Sequence, residues 1–260
     1  MLPLSRPARQ AHLSTVSLAA SESQLLQAAR ALDAQEMARA NRFAHADVRR
    51  RYIMCRSRLR HLLAQRLDIA AEEVAFRYER WGKPQLAKQR QPALHFNVSH
   101  SGDWALILLA AEPVGVDLEI MNPRTQLRGI ASQILSERER LAWQRLTPPL
   151  QELNTWRLWV CKEALLKAMG LGIAEGLKQV SLPLPVPSHG APFSPDAIDG
   201  ALQMHLDDDG TCGQNHWIDS RAWRVQLLDL PALCPVIAEP AVGWQAAVCL
   251  PSGVELLCSC

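Results

Sequence analysis

Long apolar runs are what this sequence lacks first of all. No stretch of its 260 residues approaches the about 18 consecutive apolar residues of a membrane-spanning helix. A helical membrane protein is therefore excluded, and no membrane partner is expected. Near the start, Arg6 and Arg9 precede an apolar stretch at 16–20 that is short and broken by Ser17, too little for the core of a secretion signal. The seven cysteines are odd in number and include no CxxC pair, so a reduced, cytoplasmic protein is the economical reading. His205, Cys212 and His216 stand near one another, but their spacing fits no zinc pattern. Excess charge is also missing, since a formal net charge of +2 does not by itself imply a nucleic-acid partner. What remains is ordinary for a globular protein: 48% apolar and 21% charged residues, in a chain long enough for one large domain or two small ones with a substantial core.

The charge is unevenly placed. Residues 39–66 hold nine arginines, no lysine and one acid, Asp47. Most of this stretch reads as a long helix over 47–67 with Asp47 at the N-cap. Val48, Tyr52, Cys55, Leu59, Leu62 and Leu63 form its apolar stripe, and the arginines occupy the other faces. Those arginines are either a solvated helix face or a docking surface for an acidic partner.

Around this helix the chain alternates in type. A strand is expected at 12–18 and a helix at 21–32, which Ser21 can N-cap, with Gln24 standing where a capping box has Glu. Strands follow at 74–78, 94–99, 104–111 and 114–120, with a loop at Gly82-Lys83-Pro84 and after it. A helical region at 132–146 is broken by Pro148-Pro149. A second long helix then carries Trp156 to Met169 and is closed by Gly170. Further strands are expected at 179–182, 201–206, 222–230 and 242–250. Residues 181–200 contain five prolines and read as a surface excursion, and 256–260 have no readable role. Both halves thus read as a long helix followed by strands, which suggests two similar α+β units.

Four stretches offer chemistry. On the second long helix, Leu158, Cys161, Leu165 and Met169 form a core stripe. Trp159, Glu163 and Lys167 recur every four residues on one flank. Trp156 and Trp159 read as core or site wall. In Gly115-Val116-Asp117-Leu118-Glu119, the two acids share one strand face, and paired carboxylates are a common way to hold Mg²⁺. In Phe96-Asn97-Val98-Ser99-His100-Ser101-Gly102, Ser99 and His100 point to opposite sides of an extended segment. They read as separate phosphate donors, not as nucleophile and base. Gly82-Lys83-Pro84 holds a lysine on a turn.

Together, and in this order, these pieces resemble the 4′-phosphopantetheinyl transferase superfamily, in its longer, surfactin-synthetase-activating type. Arg42-Phe43, Ser136-Glu137-Arg138-Glu139 and the stretch Trp159 to Lys167 add to the likeness, which covers roughly residues 38–172. The resemblance implies an α+β fold of two pseudo-symmetric halves, each a long helix packed on a small antiparallel sheet. The active site would lie in the cleft between them, and the halves would divide at 1–111 and 112–260. It implies a cytoplasmic, Mg²⁺-dependent enzyme that transfers the phosphopantetheine arm of coenzyme A to a serine of apo acyl, peptidyl or aryl carrier proteins, releasing 3′,5′-ADP. By the same likeness Asp117, Glu119 and Glu163 are the magnesium ligands, and Glu163 is also a candidate base. Lys167 and Lys162 neutralise the pyrophosphate. Arg39, Lys83, Asn97, Ser99 and His100, with Lys167, contact the coenzyme, and Glu139 matches the acid of the family's Ser-x-x-Glu motif. A monomer is the first expectation.

Three rival readings are weaker. A nucleic-acid binder would explain the arginines but not the paired carboxylates, which repel phosphate unless a metal intervenes. A carrier-binding protein without catalysis is disfavoured by the intact Asp117, Glu119, Glu163 and Lys167. A serine hydrolase lacks a nucleophile-elbow motif and fails on the geometry of Ser99 and His100.

Overall fold

A computed structural model describes residues 9–78, 82–88, 93–122, 127–171, 176–182, 203–204, 223–230 and 243–259. Most of the proline-rich stretch, the remainder of the strand expected at 201–206, and His205, Cys212 and His216 lie outside the described residues.

The chain is α+β. Strand β1 (Arg9–Ser17) leads to α1 (Glu22–Ala29), α2 (Ala34–Ala40) and the long α3 (Ala46–Leu67). Then come β2 (Phe76–Tyr78), β3 (Pro84–Leu86), β4 (His95–Ser101), β5 (Trp104–Ala110) and β6 (Gly115–Ile120). Helices α4 (Leu127–Ile134), α5 (Glu137–Trp143) and α6 (Pro148–Met169) follow, then β7 (Val180–Ser181), β8 (Gln203–Met204), β9 (Trp223–Leu227), β10 (Trp244–Pro251) and β11 (Val254–Ser259).

Two sheets organise the molecule. One has the order β11-β1-β5-β4 and the other β6-β10-β9. Period-two alternation sorts their side chains. Leu106, Leu108 and Ala110 of β5 join Val116 and Leu118 of β6 and Ala246, Val248 and Leu250 of β10 in one buried cluster, so the two sheets face each other. The opposite faces carry the long helices. Ala105, Ile107 and Leu109 pack toward α3, whereas Ala247, Cys249, Val225 and Leu227 pack toward α6.

Several expectations are corrected. The terminal residues form β11, which returns to the first sheet and runs parallel to β1, with Arg9 opposite Val254. That sheet is therefore mixed, and one of its four strands comes from the C-terminal end of the chain. Pro148 and Pro149 begin α6, after Thr147 as N-cap. At a helix start the missing N–H costs nothing and the fixed φ suits the first turn. The region 132–146 contains two helices, because Ser136 and Glu139 form a capping box that starts α5 afresh. The Ser21–Gln24 box is present, but α1 ends early and Asp33 with Glu36 caps α2. His45, not Asp47, is the N-cap of α3, and Val48 is exposed.

The arginines of α3 are not all on outer faces. Arg56 and Arg60 are buried and converge on Glu36, itself buried, at 2.5 and 2.6 Å. Arg60 also reaches Asp33 at 2.7 Å and the carbonyls of Ala71 and Val74. Arg56 lies over the Phe76 ring. Every charge there has a partner, which is the condition for keeping ions inside a fold.

Candidate functional site

The site forms where β4 and β6, one edge from each sheet, run side by side. Their link is made by side chains. Asn97 Oδ1 accepts from the Val116 N–H at 2.8 Å, Ser99 Oγ from Leu118 N–H at 3.2 Å, and Ser101 Oγ from Ile120 N–H at 3.2 Å. Three alternate residues of one strand thereby satisfy three alternate backbone donors of the other. On β6, Val116 and Leu118 enter the core between the sheets, so Asp117 and Glu119 must project from the other face, the one covered by α6.

Gly115 lets α6 come close enough to matter. A Cβ there would lie 1.8 Å from the Ala164 carbonyl oxygen and 2.6 Å from the Ala168 nitrogen. With hydrogen in its place the helix backbone rests on the strand, and Glu163 and Lys167, one turn apart, reach the acids. Gly170, at φ +72°, closes the helix immediately beyond.

Lys167 is the hub. Its Nζ lies 2.5 Å from Asp117 Oδ1, 3.3 Å from Glu163 Oε2 and 3.4 Å from Ser99 Oγ. The Ser99 hydroxyl donates to Asp117 Oδ1 at 2.8 Å, and Ser101 donates to Glu119 Oε2 at 3.2 Å. Lys83 donates to the Lys167 carbonyl and so touches the same end of α6. Burial alone would depress the Lys167 pKa, but Asp117 and Glu163 outweigh it and hold it above the ordinary value. Burial and the Asp117 charge push Glu163 upward, against the pull of Lys167. Glu119 is pushed up to about 7 by burial, then by Asp117 and Glu163. His100 is held low by partial burial, then by Lys167 and Arg51.

This cluster suits a cation in specific respects. Asp117 Oδ2 is buried without a hydrogen-bond partner, which is costly unless something positive meets it. Glu119 is ionised with difficulty beside two other acids, a condition that a divalent ion relieves. Among the described residues no three His, Cys, Asp or Glu side chains converge at metal-binding distance. The Lys167 ammonium stands between Asp117 and Glu163 instead.

The structure thus brings together Ser99, Asp117, Glu163, Lys167 and Lys83 by direct bonds. Glu119 and His100 join them through charge. Three expected roles meet other partners in the structure. Lys162 is fully buried and faces away from the cluster, donating to the Ile134 carbonyl at 2.6 Å, Glu139 Oε2 at 2.6 Å and the Leu177 carbonyl at 2.8 Å. All three of its protons are committed, so it is no pyrophosphate contact. Glu139, matched to the Ser-x-x-Glu motif, is the buried partner of that lysine. The Ser99 hydroxyl donates to Asp117 and accepts from the Leu118 N–H and from Lys167 of α6, so its one proton is not free for a phosphate, and the amide oxygen of Asn97 accepts from the Val116 N–H. Arg39 is exposed and stacks on the Tyr52 ring, with no contact to the cluster.

Ser99 Oγ bonded to Asp117, with His100 on the other strand face, also removes the hydrolase arrangement. Trp156 is buried and Trp159, also on α6, packs against the core cluster, which is the core reading of the two. Ser101 is a further site residue, bonded to Glu119 and to the Ile120 N–H. Its signal was the alternation of Asn97, Ser99 and Ser101, a polar face in step with Asp117 and Glu119. No spacing in the sequence pairs Arg51 with Asp103. Asp103 accepts from Arg51 at 2.8 Å and Arg50 at 3.0 Å, fastening the β4–β5 turn to α3 beside His100.

Comparison with known proteins gives the family. Residues 17–114 match the sequence model of the 4′-phosphopantetheinyl transferase N-terminal region, and residues 113–209 that of the 4′-phosphopantetheinyl transferase superfamily. The 4′-phosphopantetheinyl transferase HetI of Nostoc is 37% identical over 177 residues, which are 67% of this chain and 74% of that one. Psf-1 of Bacillus pumilus, named for the same activity, is 31% identical over 180 residues, 65% of this chain and 76% of its own. A Synechocystis relative, 37% identical over 150 residues, is matched across 57% of this chain and 61% of its own length.

Proposed function

The chain belongs to the 4′-phosphopantetheinyl transferase superfamily, and from that membership and the site we infer that it transfers the phosphopantetheine arm of coenzyme A to a serine of an apo carrier protein, releasing 3′,5′-ADP. The observation that carries the reading is the meeting of Asp117, Glu163 and Lys167 at the β6–α6 contact, with Glu119 beside them.

In this reading Asp117, Glu119 and Glu163 would hold Mg²⁺, and the buried, unpartnered Oδ2 of Asp117 supports it. Magnesium bound there would neutralise the pyrophosphate of coenzyme A. Lys167 would release its carboxylate contacts and turn to the same phosphates. The carrier serine then attacks the phosphorus that bears the pantetheine arm, and the bond to the leaving 3′,5′-ADP breaks. Glu163 would take the hydroxyl proton, directly or through a water. Lys83 and His100 would meet the nucleotide phosphates, with Arg39 further out. His100 beside Lys167 and Arg51 marks a positive environment suited to an anion.

The proposed architecture is two pseudo-symmetric halves, α3 with the first sheet and α6 with the second, with the coenzyme in the cleft near β4 and β6. The two sequence models meet at 113–114, which supports a division near 111. No helix among the described residues is long and apolar enough to cross a membrane, and the proposed enzyme works as a cytoplasmic monomer. For docking an acidic carrier, Arg49 is exposed and available, whereas Arg50 is tied to the Leu18 carbonyl and Asp103.

The test is the intact mass of an apo carrier protein after incubation with coenzyme A, Mg²⁺ and this protein. Glu163→Gln and EDTA samples would run beside it. A gain of one phosphopantetheine arm that is absent from both controls supports transfer and metal site together. No gain on acyl and peptidyl carriers alike would overturn the reading.

A further inference from the structure

A lysine and a glutamate fully inside a protein need an explanation, because a methionine or leucine of similar size would avoid their desolvation. Lys162 and Glu139 are 0% and 2% exposed. Between them they join α4, α5, α6 and the stretch 176–182. Lys162 on α6 holds the carbonyl of Ile134 at the end of α4 and that of Leu177. Glu139 on α5 accepts from the Ser136 N–H at 2.7 Å and from the Leu182 N–H at 2.8 Å, and meets Lys162 at 2.6 Å. Bonds of this kind have narrow geometry, so they fix α6 both along its axis and about it.

The next residue along α6 is Glu163. We propose that the buried Lys162–Glu139 pair is a positioning device: it sets the rotation of α6, and through it the place of the Glu163 carboxylate and the Lys167 ammonium opposite Asp117. Side-chain tips on a helix lie about 5–6 Å from its axis, so a turn of roughly 20° moves a tip by about 2 Å. Misplacing a reacting group by about 1 Å costs on the order of 100-fold in rate. Apolar contacts alone leave that rotation softly defined, and the helix is buried on nearly every side, from Asn154 to Ala168. Directional bonds on the side away from the site are what remain to define it. This places Lys162 outside the reaction yet makes the reaction depend on it, and the inference rests on the transferase reading above.

Two variants and two readouts test it. Glu139→Gln keeps the shape and one acceptor, while Lys162→Met keeps the volume and removes the bonds. Binding of Mn²⁺, followed by its electron paramagnetic resonance signal without coenzyme or carrier, reports on the carboxylates alone. Carrier loading reports kcat and KM. The expected result for Glu139→Gln is Mn²⁺ affinity at least 10-fold weaker and kcat at least 10-fold lower. The KM for coenzyme A should stay within about 3-fold and the pH profile of kcat should keep its shape, because Lys162 transfers no proton. Lys162→Met should lose more. Wild-type Mn²⁺ affinity and kcat in Glu139→Gln would overturn the inference, and this variant decides it should Lys162→Met fail to fold. A wild-type protein that itself loads no carrier would instead overturn the transferase reading, a distinguishable failure.

Discussion

The hydroxyl of Ser99 donates to Asp117 Oδ1 at 2.8 Å while accepting the Leu118 N–H at 3.2 Å, so one small side chain both joins the two sheets and orients an acid of the site. Lys167 approaches the same oxygen at 3.4 Å. The serine is buried and its bonding capacity is full.

Ser99→Ala leaves a buried backbone donor unmet and removes one of the bonds to Asp117. The cost of such a loss is about 1–3 kcal/mol. For a chain of this size that is a fall in melting temperature of several degrees. Differential scanning fluorimetry with coenzyme A and Mg²⁺ absent would show it. Activity should fall further than stability, because Asp117 loses a director as well. Equal melting temperatures for variant and parent would rule out this account of the β4–β6 junction.

Gly115→Ala has a harsher prediction. The added methyl would sit 1.8 Å from the Ala164 carbonyl oxygen, a backbone atom that cannot swing aside. Either α6 lifts from β6 or β6 bends, and overpacking of this kind costs about 1–3 kcal/mol or more. The expected outcome is a destabilised protein with carrier loading reduced at least 100-fold, since α6 carries Glu163 and Lys167. A folded Gly115→Ala variant with unaltered kcat would show that the close approach is dispensable.

Much of the site could be read in advance, and the reason is periodicity. Asp117 with Glu119 at period two and Glu163 with Lys167 at period four each point to one side of a regular element, so their convergence needs only that the two elements pack. The polar alternation of Asn97, Ser99 and Ser101 was equally regular, yet its bonds run to another strand's backbone, which no spacing reveals. Lys162 illustrates a different obstacle. Its sequence neighbours are site residues, but one step along a helix is a turn of about 100°, enough to take it from the site into the core. Arg56 and Arg60 were misjudged for a related reason: their partner Glu36 lies in α2, and a buried charge network is invisible until the helices pack. The strand β11 escaped notice because it has no partner nearby in sequence and pairs with β1 at the other end of the chain.

Glu36 offers a direct check on that network. Glu36→Gln leaves Arg56 and Arg60 buried with one carboxylate fewer, and removing one member of a buried ion network costs about 3–5 kcal/mol. Urea unfolding should show the midpoint lowered with the slope unchanged. Glu36 lies outside the reacting cluster, so any folded fraction should keep its kcat. A loss of kcat per folded molecule would give the network a part in the reaction.

Glu119 joins stability to pH in the opposite sense to most carboxylates. Its pKa is raised to about 7 from an ordinary 4.5 by burial, then by Asp117 and Glu163. The folded protein therefore binds its proton more tightly than the unfolded chain does, and stability from this group is complete below pH 4.5. It declines as the pH rises and is lost once the pH has passed about 7. Glu119→Gln removes the titrating group. The variant should be more stable than the parent at pH 8, by on the order of 1 kcal/mol once solvent screening of a partly exposed group is allowed for. The gap should close toward pH 5. Saturating Mg²⁺ should narrow it from the other side, by stabilising the parent and not the variant. Thermal melts of both proteins at pH 5 and pH 8, with and without Mg²⁺, decide the matter. A variant less stable than the parent at pH 8 without metal would mean that Glu119 supports the fold, and the acid cluster could not then be a site strained in wait for a cation.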